Sequence, residues 1–244
     1  INETNEKPVA NNRLFQRRCT IRLIEFINVS KVYKTGTHAL NNFSIRIDRG
    51  EFVFIVGPSG AGKSTFINAL LNKPLAKSSA TPGKTQLINF FYSLWAMRNE
   101  RIPLTLIDLP GFGYAKVSKS LKNEWQKHLL PFLSNRPSIK LFLHLVDSRH
   151  TDMEADIMMN EVLKSICRGD SRIMRIYTKA DKLTQSALNT LKSKIENLSH
   201  NETDSQQIYH FLFSATAKNH RKMTSIANMR ESIITHTLGY SNGV

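Results

Sequence analysis

Two hydrophobic periodicities alternate along this chain of 244 residues, and they predict strands and helices in turn. Short apolar runs typical of strands lie at 24–29, 43–48, 52–56, 86–94, 102–109, 140–146, 172–178 and 208–213. Stretches with helical spacing lie at 66–71, 118–132, 153–167, 185–198 and 223–238. Because strands that alternate with helices favour parallel pairing, the pattern predicts an α/β fold with a mostly parallel central sheet flanked by helices.

The chain divides into three parts by composition. Residues 1–20 are polar and lack periodicity, so we expect a disordered or weakly ordered tail. Residues 21–50 contain the first two predicted strands, with turn residues at 35–37, and predict an N-terminal β-hairpin. Residues 51–244 carry the alternating strands and helices and are long enough to form one large domain.

A glycine-rich segment follows the apolar run 52–56 and precedes the first predicted helix. It consists of Gly57, Pro58, Ser59, Gly60, Ala61, Gly62, Lys63, Ser64 and Thr65. Its backbone N–H groups and the N-terminus of the helix can bind phosphate, Lys63 can reach the β- and γ-phosphates, and Ser64 can ligate Mg²⁺. An ordinary strand-to-helix turn is the alternative, but the complete motif in this context favours a P-loop that binds a nucleoside triphosphate.

A second phosphate-site motif follows the strand at 102–109. It consists of Asp108, Leu109, Pro110 and Gly111. We expect Asp108 to hold Mg²⁺ through water and Gly111 to bring a backbone N–H to the γ-phosphate. The segment between the two motifs includes Gly83, Lys84, Thr85, Gln86 and Leu87. Thr85 is expected to close over Mg²⁺ when a γ-phosphate is present, with Thr81 as the alternative. Lys63, Thr85 and Gly111 are therefore the candidate catalytic residues.

A third motif indicates which base is bound. It consists of Thr178, Lys179, Ala180 and Asp181, at the end of the strand 172–178. The Asp181 carboxylate can accept from both N1–H and the N2 amine of guanine, a donor pair that adenine lacks. The Lys179 stem can lie along the base. We expect the loop of Phe213, Ser214 and Ala215 to offer a backbone N–H to guanine O6. A common turn is the alternative, but in this position the motif predicts GTP.

These motifs resemble the EngB (YihA/YsxC) family over residues 67–240. The resemblance rests on Ile67–Leu70, Ser79–Phe91, Asp108–Val117, Asp147–His150 and Thr178–Leu183. It implies a P-loop NTPase of the TRAFAC-type G-domain class, with GTP or GDP as ligand and Mg²⁺ as cofactor. It also implies a cytoplasmic GTPase that acts in assembly of the large ribosomal subunit and is needed for normal cell division and septation.

The front of the chain resembles a different family. Residues 24–65 are similar to the start of an ABC ATPase, close to the cell-division FtsE group, through Ile24–Lys34, Ala39–Asn41 and Gly50–Thr65. The chain therefore looks chimeric, with a junction near the shared P-loop. An ATP-binding subunit of a cell-division ABC complex is the alternative function. The chain contains no Leu-Ser-Gly-Gly-Gln signature, which argues against that alternative.

Two positions predict slow hydrolysis. Gly60 stands where the EngB resemblance implies an Asn that holds an activating K⁺, so a role for K⁺ is doubtful. Phe112 stands where Ras-like proteins carry the glutamine that orients the attacking water. We therefore expect a GTPase with low intrinsic turnover.

Charge and cysteine content bear on partners and compartment. The formal net charge of +15 favours a polyanion, and the resemblance selects ribosomal RNA of the large subunit. Basic residues near the second motif and the last helix are candidates: Lys116, Lys119, Lys122, Lys127, His220, Arg221, Lys222 and Arg230. Two cysteines without metal-ligand spacing suit a reducing cytoplasm. No apolar run is long enough to span a membrane, and we expect a monomer.

Overall fold

The computed structural model describes residues 22–32, 38–48, 52–76, 88–109, 133, 139–151, 153–167, 169–201, 208–216 and 223–239. Internal contacts divide the chain into two compact units between residues 49 and 50. The predictions for residues 1–20, the turn at 35–37 and the helix at 118–132 lie outside the described residues.

The first unit contains a two-stranded antiparallel sheet. Strand β1 (Arg22–Val32) pairs with β2 (His38–Asp48). Both strands are longer than the apolar runs that predict them. The extension follows from pairing, because backbone hydrogen bonds can continue beyond the alternating apolar runs.

The second unit is built on a six-stranded sheet. Its strands are β3 (Phe52–Val56), β4 (Asn89–Met97), β5 (Glu100–Asp108), β6 (Ile139–Asp147), β7 (Arg172–Thr178) and β8 (Ile208–Leu212). Their order is β4-β5-β3-β6-β7-β8. The pair β4–β5 is antiparallel and the other pairs are parallel, which confirms the mostly parallel sheet. The short turn at Arg98 and Asn99 requires the antiparallel pair, because a parallel connection needs a long crossover.

The helices are α1 (Lys63–Leu71), α2 (Glu154–Ile166), α3 (Gln185–Asn201) and α4 (Ile226–Leu238). Helix α4 begins three residues later than predicted, because Ser225 caps it and accepts a hydrogen bond from the Asn228 N–H at 3.1 Å. Among the described residues, no helix combines the length and apolar character needed to cross a membrane.

Core residues from both faces of the sheet hold the strands in place. Helices α1 and α4 bury Phe66, Ile67 and Ile233 in one cluster with alternate residues of the central strands. Helix α3 buries Leu188 and Leu191 in a second cluster with residues of β6, β7 and β8. Because β3 and β5 to β8 run parallel, their carboxyl ends lie at the same edge of the sheet, and the loops that follow them share that edge.

Three of the described histidines lie in low-dielectric surroundings. Burial lowers the pKa of His144, although the Asp156 carboxylate lies 3.5 Å from its Nε2. Burial and the charge of Arg175 lower the pKa of His210 to about 4. Burial and the charge of Arg172 lower the pKa of His236 to about 4. All three are therefore neutral in the folded protein near pH 7.

The free energy of unfolding should decrease as the pH falls below about 6.5, the ordinary histidine value. The unfolded chain then binds protons that the folded chain takes up at His210 and His236 only near pH 4, and the lowered pKa of His144 acts in the same direction. Each histidine contributes at most ~1.4 kcal/mol per pH unit. Urea denaturation between pH 7.5 and 4.5 measures the slope. The change His236→Gln should make it shallower; an unchanged slope in that variant would contradict the assignment.

Candidate nucleotide-binding site

The P-loop joins β3 to α1 through residues with positive φ. Gly57 has φ 150°, and a Cβ there would lie 2.5 Å from the Leu145 carbonyl oxygen, so only glycine fits. Gly62 has φ 85° and occupies the N-cap of α1. The Ala61 N–H donates to the Pro58 carbonyl oxygen at 3.2 Å. The loop is thus a tight turn at the N-terminus of a helix, the arrangement that binds phosphate.

Lys63 is held inside this turn. Its side chain is buried, and Nζ donates to the Gly57 carbonyl oxygen at 2.9 Å. Burial lowers the pKa of Lys63, while the charge of Asp108 acts in the opposite direction. An ammonium carries three donors, so those not used by Gly57 are suited to phosphate oxygens.

Asp108 ends β5 next to the P-loop strand. It pairs in register with Ile55, and the following Leu109 N–H donates to the Ile55 carbonyl oxygen at 3.1 Å. The carboxylate is 3% exposed, and its Oδ1 has no hydrogen-bond partner among the described residues. Burial raises the pKa of Asp108, while Lys63 and a hydrogen bond from Asn89 lower it. A buried acceptor with unused capacity fits a hydrated Mg²⁺.

The third motif is tied directly to the P-loop. The Thr178 hydroxyl donates to the Ala61 carbonyl oxygen at 2.7 Å. Lys179 has φ 56°, and its Nζ donates to the Gly60 carbonyl oxygen at 2.6 Å. These bonds connect residues more than 110 positions apart in sequence. They set the distance between the phosphate loop and the base loop.

Asp147 completes this connection, and no role for it was predicted from the sequence. Its Oδ2 accepts from Lys179 Nζ at 2.8 Å, and Arg149 donates to both carboxylate oxygens at 2.9 and 2.7 Å. Burial alone would raise its pKa, but the hydrogen bonds from Arg149 and Lys179 hold the pKa of Asp147 well below its usual range. Asp147 ends β6 and pairs in register with Thr178 at the end of β7. Its position at the same sheet edge as the third motif is the signal that could have indicated its role.

Asp181 faces a pocket beside Lys179. The Thr216 hydroxyl donates to Asp181 Oδ2 at 3.2 Å. Burial would raise the Asp181 pKa, but hydrogen bonds from Ser214 and Thr216 give a net lowering, so the carboxylate is ionised and accepts hydrogen bonds. The pocket is lined by Gly62, Thr65, Phe66, Thr178, Lys179, Asp181, Lys182, Phe213, Ala215 and Thr216.

Most of the predicted site residues meet at this edge of the sheet. The P-loop, Asp108 with Leu109, the third motif and the loop 213–215 lie there. The Phe213 side chain is buried edge-on against Phe66 at 5.0 Å between ring centroids. It therefore packs in the core, and only its backbone can take part in the loop 213–215. Other predicted residues lie outside the described ones: Thr81, Gly83, Lys84, Thr85, Gln86, Leu87, Pro110, Gly111 and Phe112.

One candidate for RNA contact, Arg230, also makes contacts within the protein. Arg230 Nε donates to the Leu70 carbonyl oxygen at 2.8 Å, at the end of α1. Its guanidinium lies 5.8 Å from the ring centroid of the buried Trp95. Arg230 thus links α4 to the end of α1, and its contact with RNA stays a prediction. The other seven candidates lie outside the described residues.

The site combines a P-loop, an acidic residue at the end of the neighbouring strand, and the motif Thr178–Asp181 hydrogen-bonded to the P-loop. Together these features define a GTP-binding G domain. The family profile described as "50S ribosome-binding GTPase" matches residues 52–179. A probable GTP-binding protein EngB from Helicobacter hepaticus is 60% identical over 201 residues, covering 80% of this chain and 89% of that relative. One from Campylobacter jejuni is 48% identical, covering 69% of this chain and 82% of that protein. The chain belongs to the EngB family of GTP-binding proteins.

Solved structures show the same fold at low sequence identity. Era in complex with MgGDPNP and a 16S ribosomal RNA fragment matches with a TM-score of 0.55 at 20% identity, covering 76% of this chain and 56% of that one. Toc33 from Arabidopsis thaliana matches with a TM-score of 0.56 at 16% identity, covering 77% of this chain and 84% of that one. Both likenesses concern the fold alone.

The comparisons give no support to the ATP-binding alternative. The family profile begins at residue 52, and the relatives described above are GTP-binding proteins. The chimeric origin of residues 24–65 stays a prediction from the sequence.

Proposed function

We propose that this protein is a GTP-dependent switch that binds the large ribosomal subunit during its assembly and hydrolyses GTP slowly. The observation that carries this proposal is the link from Lys179 to both Gly60 and Asp147, which holds an ionised Asp181 beside the phosphate loop. The protein would act in the cytoplasm, and its loss would disturb cell division and septation, as the EngB resemblance implies.

The proposed binding mode divides GTP between the two loops. Backbone N–H groups of residues 57–65 and the Lys63 ammonium bind the phosphates. The Asp181 carboxylate accepts from N1–H and N2 of guanine, and the loop 213–215 donates to O6. The Lys179 stem lies along the base while its Nζ keeps its bonds to the protein. Bound adenine would displace water from the Asp181 carboxylate without offering it the same two hydrogen-bond donors. The site should therefore prefer guanine to adenine.

The same arrangement accounts for a metal-dependent but slow reaction. Ser64, Thr85 and, through water, Asp108 would hold Mg²⁺, which when bound neutralises charge on the β- and γ-phosphates. Thr85 and Gly111 are proposed to respond to the γ-phosphate, so that its loss releases their segments. Gly60 offers no side chain for K⁺, although a Cβ there would meet no described atom within 4 Å.

Large-subunit RNA is the proposed partner because of charge and family together. A net charge of +15 gives a large electrostatic gain on a phosphate backbone. The matching family profile is described as 50S ribosome-binding. Since the segments near the γ-phosphate carry basic residues, binding should be strong only in the GTP state.

Sedimentation with purified large ribosomal subunits tests this proposal. We expect the protein to pellet with a non-hydrolysable GTP analogue at least ~10-fold better than with GDP, and to lose binding steeply as salt rises from about 50 to 200 mM. Small subunits and the variant Asp181→Asn with the GTP analogue serve as controls. Equal pelleting with GDP and the analogue, or equal binding to both subunits, would contradict the proposal.

A further inference from the structure

The Lys179 side chain forms one wall of the pocket that contains Asp181. Its stem passes close to the P-loop, because a Cβ added at Gly62 would lie 3.8 Å from Lys179 Cε. A lysine stem is flexible and adopts many rotamers unless its ammonium group is held. The position of this wall therefore depends on the groups that hold Lys179 Nζ.

Two acceptors hold this ammonium group. Lys179 Nζ donates to the Gly60 carbonyl oxygen at 2.6 Å and to Asp147 Oδ2 at 2.8 Å. The carbonyl offers a dipole, whereas the carboxylate offers a full opposite charge. The Asp147 side chain is 14% exposed, so water screens the ion pair less than it would at the surface. Asp147 is therefore the stronger of the two partners.

Asp147 is itself held by Arg149. The Arg149 backbone N–H and Nε donate to Asp147 Oδ1 at 3.1 and 2.9 Å, and Nη2 donates to Oδ2 at 2.7 Å. A carboxylate accepts about four hydrogen bonds, so these three and the one from Lys179 use its full capacity. Three of the bonds stay within the turn after β6, and the fourth reaches the third motif.

We propose that Asp147 is a positioning residue for the nucleotide, which anchors the Lys179 stem as the surface on which the flat face of the base lies. This inference rests on the proposed function and divides the base site into two parts. Asp181 selects guanine by the donors at its edge, whereas the Asp147–Lys179 pair retains the base by its face. Every purine presents a similar flat face, so retention should not depend on which purine is bound.

A local role for Asp147 would give a different result. Asp147 also shapes the turn after β6, since its side chain accepts from the Arg149 N–H and its carbonyl oxygen accepts from the His150 N–H at 2.9 Å. If Asp147 acted only on this turn, its replacement would have the same effect with or without the Lys179 ammonium. An effect that passes through Lys179 should disappear once that ammonium is removed.

A double-mutant cycle on the full chain separates these roles. Titration with a fluorescent GDP analogue, with competition by GDP and inosine diphosphate, measures the affinities. The change Asp147→Asn keeps the shape but loses the charge, so it should lower the affinity for both nucleotides about 10-fold. The preference for GDP over inosine diphosphate should stay within ~2-fold, because Asp181 is unchanged. In a chain that carries Lys179→Met, the same change should alter the GDP affinity less than ~2-fold.

Equal effects of Asp147→Asn in the two backgrounds would overturn the proposal. A loss of preference for GDP over inosine diphosphate would overturn it too, because Asp147 would then act on selection.

The change Asp170→Asn is the matched control. Asp170 also pairs with a lysine, Lys140, but it precedes β7 at the end of that strand opposite Thr178. This change should leave the GDP affinity unaltered. Competition with ADP in the natural chain distinguishes the two levels of the account. If the natural chain prefers GDP to ADP but Asp147→Asn leaves the GDP affinity unaltered, the role of Asp147 is wrong and the proposed function stands. If the natural chain shows no such preference, the proposed function is wrong as well.

Discussion

The change Asp181→Asn should lower the affinity for GTP by roughly 100-fold, which corresponds to about 2.7 kcal/mol. The ionised carboxylate accepts two hydrogen bonds from guanine in the proposed mode. The amide of Asn keeps one acceptor oxygen but places an N–H₂ donor against the guanine N2 amine. Loss of charge-assisted hydrogen bonds and the clash of two donors both weaken binding. Titration with a fluorescent GDP or GTP analogue measures the change.

Xanthine nucleotides provide the control for this variant. Xanthine carries a carbonyl oxygen where guanine has its N2 amine, so the amide introduced by Asp181→Asn can donate to it. The variant should therefore bind xanthosine triphosphate better than GTP, whereas the natural chain should prefer GTP. Equal loss of both nucleotides would indicate a damaged fold, and unchanged GTP affinity would place the base elsewhere.

The change Lys63→Met should weaken nucleotide binding without lowering the stability of the nucleotide-free protein. Lys63 is 8% exposed, and burial lowers its pKa, so the empty protein holds a cation in a poorly solvated position. Met fills a similar volume without that cost. We expect GTP affinity to fall at least ~100-fold, while the melting temperature of the nucleotide-free protein stays the same or rises by about 2–4 °C.

Differential scanning fluorimetry with and without GTP follows both effects in one experiment. The natural chain should gain stability with GTP by mass action, and the Lys63→Met variant should show no such gain. A control change at an exposed lysine, Lys194→Met, should keep the gain. A large drop in the melting temperature of the empty Lys63→Met protein would contradict the idea that this lysine is retained for phosphate binding.

The sequence predicted those parts of the site that lie in one continuous segment. The P-loop, the Asp108 motif and the Thr178–Asp181 motif are local patterns, each with its own strand and turn signals. Their meeting could also be expected, because parallel strands end at the same edge of a sheet. The described geometry brings them together there.

The sequence could not predict roles that depend on distant contacts. Asp147 lies 32 positions from Lys179, and the pairing of β6 with β7 brings the two side chains within hydrogen-bond distance. Arg230 has an ordinary exposed-helix pattern in sequence, yet it packs on Trp95 and bonds to Leu70 across 160 residues. An apolar strand at 86–94 was predicted from the sequence. Only the strand order of the folded protein shows that β4 lies at the edge of the described six-stranded sheet.

Competition between GTP and ATP for a bound fluorescent nucleotide tests the central claim most directly. The account predicts that GTP displaces the fluorescent nucleotide at a concentration at least ~100-fold lower than ATP does, in the presence of Mg²⁺. Equal displacement by GTP and ATP would contradict it, because Asp181 would then not be reading the base.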